Sequence, residues 1–258
     1  MKRLAILAAC ATVALGAAGA ANAAPAKATF TSAGAPMELQ PADTANLCVT
    51  TAKTAPGITT LPKGSRILVL TPYVDLKILT MSGIAEPRAD WSAQGRDNMS
   101  TELQGSMTTS GHPFQSLTAA DAMEGHNGQL LRLHQAVGGS ILAFTYSPLT
   151  LPTKKGSFDW TLGEGAKSLS DTYGADYALF TYVVGSYSSG GRKIAWLAVA
   201  ALGASIPLGG QQAVASLVDL RTGQIVWFNV TTASPTADVR AATGAHSLMS
   251  TLLKGMPL

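Results

Sequence analysis

The sequence predicts an α/β domain: a single mixed sheet with helices packed on it, ending in a β-hairpin and a C-terminal helix. Three observations predict it. From Arg66 onward, strand-like runs alternate with stretches whose apolar residues recur at helical spacing. Tyr177 to Val184, dense in aromatic and branched side chains, reads as a central strand. "QQAVASLVDLRTGQIVWFNV", residues 211 to 230, sets two strand-type runs either side of a turn.

Three regions precede or make up that domain. Residues 1–23 read as a secretory signal peptide, with basic Lys2 and Arg3, a small-residue apolar stretch, and "ANA" before a cut that leaves Ala24 first. "LAAC", Leu7 to Cys10, has the form of a bacterial lipobox and makes Cys10 a candidate lipidation site. Only six residues separate Arg3 from Cys10, however, too few to cross a bilayer for processing. Residues 24–64, rich in Ala, Thr and Pro without a period of two or 3.6, read as an extended arm, and residues 65–258 as the α/β domain.

Within the domain the first strand runs from Ile67 through Ile78 with a bend at Pro72. Trp91, Met99, Leu103 and Met107, at multiples of four, mark a helix over 90–107 with Asp90 as its cap. "HPFQSL" is a second strand. A helix follows in which Met123, Leu130, Leu131, His134 and Val137 share a face, and Gly138 and Gly139 end it. Two strand-then-helix units in succession predict parallel pairing through right-handed crossovers.

Leu162, Ala166, Leu169 and Tyr173 mark a short helix stopping at Gly174. In the hairpin, Ile225 and Trp227 are expected on one face and Val226 and Phe228 on the other, both faces apolar as in a sheet covered on each side. Gly223 supplies the turn. The final helix is expected over 236–254.

Between the central strand and the hairpin lies an insert whose residues Ile194 to Leu208 carry no charged side chain. It is a candidate interaction surface through Ile194, Trp196, Leu197, Val199, Leu202, Ile206 and Leu208. Such a run must be buried in the core, paired with a partner or laid against lipid, and fifteen residues are too few for an ordinary spanning helix.

Composition narrows the function classes. The chain is 47% apolar and 13% charged, enough to bury a core. Cutting after Ala23 takes away two cations and no acid, so a net charge of +3 becomes +1 and no broad basic face is offered to nucleic acid or anionic lipid. Cys48 is then the one remaining cysteine, so no internal disulfide forms. No phosphate loop, Gly-x-Ser-x-Gly, His-Glu-x-x-His or dinucleotide fingerprint occurs. His112, His126, His134 and His246 are scattered without ligand spacing, so no metal or other cofactor is expected.

"YGADYALF", Tyr173 to Phe180, followed by "SLVDLRTGQIVW", Ser216 to Trp227, resembles a group of bacterial envelope proteins. The group includes the curli-secretion channel subunit, the lipoprotein activators of penicillin-binding proteins and the amino-terminal domain of the translocation protein TolB. The resemblance covers residues 66 to 254 and rests on structural motifs: a helix stop, a strand entry and a turn. It implies a fold like the TolB amino-terminal domain and a role in assembly or protein contact in the periplasm or at the outer membrane, without catalytic residues. The expected partners are envelope proteins or further copies of this chain; peripheral membrane contact by the insert stays one of its open alternatives beside core packing and a protein interface, and the insert is not equated with the curli channel's membrane hairpins. Two other classes remain open: a secreted hydrolase with dispersed catalytic residues, and a periplasmic protein that binds a small ligand.

Overall fold

The computed structural model describes residues 52–154, 156–233 and 237–258. The signal peptide, Cys10, Cys48 and the arm as far as residue 51 lie outside them.

The described end of the Ala/Thr/Pro-rich stretch is fixed to the domain by one short strand followed by turns. β1 (Lys53–Thr54) places Lys53 opposite Phe228 on β8 (Ile225–Ala233). Ala55 N–H donates to Val226 O at 2.9 Å, Leu61 N–H donates to Pro257 O at 2.8 Å, and both side chains are buried. The folded body therefore starts ahead of residue 65.

The expected first strand is present in two pieces, β2 (Ile67–Val69) and β3 (Tyr73–Leu79), both parallel to β6 (Tyr177–Ser188). They break around Pro72, which has no N–H to give the ladder. β4 (Ala85–Pro87) folds back antiparallel on β3, and β5 (Phe114–Ser116) lies parallel to β2 at one edge. β7 (Gly209–Asp219) runs antiparallel between β6 and β8. The sheet order is β1-β8-β7-β6-β2-β5, with β3 continuing along β6 and β4 outside it.

Helices cover both faces. On one side lie α1 (Ala89–Ser110), whose buried stripe is Gly95, Met99, Leu103 and Met107, and the C-terminal helix, which begins at Ala242. On the other lie α2 (Ala119–Met123) and α3 (Gly125–Thr145), which bring Leu130, Leu131, Ile141 and Leu142 over Phe180, Val214 and Phe228. Each fully buried side chain of this size contributes about 1.5–3 kcal/mol. α4 (Lys167–Tyr173) follows one 3₁₀ turn and stops at Gly174, which is left-handed with φ 65°. α5 (Gly190–Ala200) joins β6 to β7, and α6 (Ala242–Leu252) ends the fold.

Several elements differ from the sequence reading. Asp90 does not cap α1: Arg88 holds that position, and the Asp90 carboxylate accepts from its guanidinium at 2.9 and 2.6 Å. α3 does not end at Gly138 and Gly139 but continues to Thr145. Gly138 serves close packing instead, since a Cβ there would sit 3.2 Å from the Tyr182 hydroxyl. Met123 is exposed rather than on the buried face, because the chain breaks at Glu124 between α2 and α3.

In the hairpin Trp227 packs with Val226 on the α1 face, while Ile225 and Phe228 share the opposite one. Leu217 pairs with Trp227 and Val218 with Ile225, so Val226 is the extra residue of a β-bulge and the alternation slips there. The last helix begins at Ala242, leaving Val239 buried in the segment before it.

A candidate docking surface

The uncharged insert forms a protrusion at one end of the sheet. Ser189 starts it: its N–H donates to Leu79 O at 2.9 Å, and its hydroxyl accepts from Arg192 N–H, capping α5. Arg192 is buried and holds the base together. Its Nε donates to Pro207 O at 2.8 Å, and its guanidinium lies against Gly83 in the turn between β3 and β4. The return limb is tied by Ser188 Oγ, which donates to Leu208 O at 2.8 Å.

Beyond that clasp the apolar side chains face outward. Ile194 is 70% exposed, Leu197 61% and Leu202 86%. Leu208 is exposed as well, while Trp196, Val199 and Ile206 are half-buried. Ile194, Leu197 and Leu202 are thus not packed in the core. Met81 and Ile84, 68% and 62% exposed, sit on the neighbouring turn, with the Met81 side chain beside Gly191. The sequence reading missed these two. "TMSGIAEP" shows only a turn, and no local signal ties it to a helix more than a hundred residues away.

Next to this tip lies a ring of aromatics and cations. The Arg88 and Arg240 guanidinium carbons each lie 4.3 Å from the Trp91 centroid, and Arg240 is 3.7 Å from that of Tyr187. Trp91 and Tyr187 meet edge-on at 5.8 Å. Arg240 forms a bidentate pair with Asp238. Burial alone would raise the Asp238 carboxyl, but that pairing and the Tyr187 hydroxyl hold it below its ordinary range.

The histidines are dispersed. His126 Nε2 meets Gly165 O at 3.1 Å, His112 Nδ1 meets Ser65 O at 3.2 Å, and His246 Nδ1 meets Glu102 at 2.7 Å. His134 is buried, 2.5 Å from Ser216 Oγ and stacked on Phe180, and burial lowers its pKa to about 3. Among the described residues no three His, Cys, Asp or Glu side chains are grouped to hold a metal. Among the same residues no helix is long and apolar enough to cross a membrane.

No family model matches the chain, and no curated protein matches it. Solved structures do. A PelC dodecamer from Paraburkholderia phytofirmans is 13% identical with a TM-score of 0.37, covering 81% of this chain and 99% of its own. Lipoprotein GNA1162 from Neisseria meningitidis is 14% identical with a TM-score of 0.29, covering 66% and 81%. The LpoB C-terminal domain from Salmonella enterica is 15% identical with a TM-score of 0.27, covering 70% and 87%. At such scores these likenesses assign no activity or partner to this chain.

Proposed function

We propose that the chain is an exported bacterial envelope protein that works without catalysis, as an assembly or accessory module docking through one end of its sheet. The observation that carries this reading is the protrusion, where Ile194, Leu197, Leu202, Met81 and Ile84 all stand in solvent. A protein that leaves such side chains exposed, while clasping their base with a buried arginine, holds them ready for contact. The export signal read in residues 1–23 and the resemblance carried by "YGADYALF" and "SLVDLRTGQIVW" support the envelope location.

The hydrolase alternative needs a nucleophile and base open to substrate. His134 and Ser216 are a contacting serine–histidine pair, but both are sealed in the core under Phe180.

Fractionation with intact-mass measurement tests the proposal. The protein is expected in the envelope fraction with Ala24 first, and a photo-reactive residue at position 197 is expected to form adducts in growing cells. A cytoplasmic chain retaining Met1, or a protein that forms no adduct at 197, would sink it.

A further inference from the structure

We propose that the tip formed by α5 and the β3–β4 turn is a monotopic lipid-docking element for an anionic bilayer surface, a reading that rests on the docking role above and names what is docked on. Ile194, Leu197, Ala198 and Ala201, at i, i+3, i+4 and i+7, are all exposed, so the apolar stripe of α5 points to solvent. An ordinary surface helix turns that stripe to the core. An interfacial helix instead lays it about 5–10 Å into the boundary between headgroups and acyl chains.

Two features favour lipid over a protein partner. The first is polarity. From Ile194 to Leu208 the only hydroxyl is Ser205, and there is no amide or charged side chain. Protein interfaces take their orientation from a polar rim. The eleven-residue helix α5, about 16 Å long, has no polar side chain on its exposed apolar stripe to supply one.

The second is charge. On the tip itself Lys193 is exposed and Arg192 is buried, while Lys77 at its base is paired with Asp75 at 3.6 Å and Glu86 follows on β4, so Lys193 is the cation placed to meet an anionic surface. Each cation near an anionic surface contributes about 1 kcal/mol. The ring of Trp91, Tyr187, Arg88 and Arg240 fits the same orientation. Tyr187 pairs in register with Ile78, three residues before Met81, which is at most about 10 Å along an extended strand. A tip inserted to Met81 thus brings the half-buried Trp91 and Tyr187 rings, and the guanidinium groups paired with Asp90 and Asp238, to headgroup level, where aromatic rings and cations concentrate.

The test uses the chain as recovered after export, floated with vesicles of phosphatidylcholine alone and of phosphatidylcholine with phosphatidylglycerol. Flotation with the anionic vesicles is expected. The triple variant Ile194→Glu, Leu197→Glu, Leu202→Glu should weaken it about tenfold or more without changing the thermal melt, because all three side chains are exposed. Lys193→Glu should cost about fivefold on anionic vesicles and little on neutral ones. A parent that floats with neither vesicle, or a triple variant that floats as well as the parent, overturns the inference. If the parent ignores lipid but forms an oligomer that the triple variant dissolves, the lipid inference falls while the docking function stands. If there is neither lipid binding nor self-association, and no adduct at position 197, both fall.

Discussion

His134 shows what a single buried side chain does to the whole stability curve. Its ring is sealed between Phe180, Tyr182 and Ser216, and it stays neutral down to about pH 3. In the unfolded chain it takes a proton near 6.5. Between those values the unfolded state binds more protons, so this contribution is full above about pH 6.5 and is lost as pH falls toward 3. Urea unfolding is expected to show stability falling by about 1.4 kcal/mol per pH unit across pH 6 to 4 from this group. His134→Leu with Ser216→Ala should flatten that part of the profile, and an unchanged slope would contradict the assignment. A second residue, Gly223, takes φ 71° in the hairpin turn, and a Cβ there would meet Gly163 O at 2.1 Å. Gly223→Ala is therefore expected to lower the unfolding free energy by about 1–3 kcal/mol, measurable as a shift in urea midpoint.

At the scale of elements, α1 and α5 have opposite relations to water. Leu103 on α1 is buried, so Leu103→Ala should cost about 2–5 kcal/mol, whereas Leu197→Ala on α5 should stay within about 0.5 kcal/mol. Equal effects in thermal melts would show that α5 packs elsewhere in solution.

The same elements mark what the sequence made legible. α1 could be read because every fourth residue is apolar and one face is buried. The central strand and Gly174 stop could be read because local chemistry decides them. The role of Gly138 inside α3 could not, since it packs close to Tyr182, a contact made across the fold. The facing of Trp227 could not either: the bulge at Val226 is a property of pairing with β7 and leaves no mark on β8 alone. The candidate docking surface was half visible. The missing charges of 194–208 announced themselves, but Met81 and Ile84 joined them only through folding.

Over the whole molecule, two apolar layers enclose one sheet, and the protrusion belongs to neither. Ile194, Leu197 and Leu202 take no part in either core, so the stability of this chain and the docking proposed for its tip reside in different residues. Removing the tip should leave the melting temperature nearly unchanged and abolish docking.

The register of β6 and β7 makes that separation a matter of carpentry. Tyr187 and Gly209 are partners in the ladder although twenty-one residues lie between them, so the two strands already meet where the insert leaves and returns. Residues 189–207 can then be exchanged for Asn-Gly, which closes a two-residue hairpin with the twist such strands favour. The product should fold as an ordinary β-meander, measured by circular dichroism and urea unfolding. The tip is thus an interchangeable head on a fixed handle, and heads of other chemistry could be fitted to the same joint.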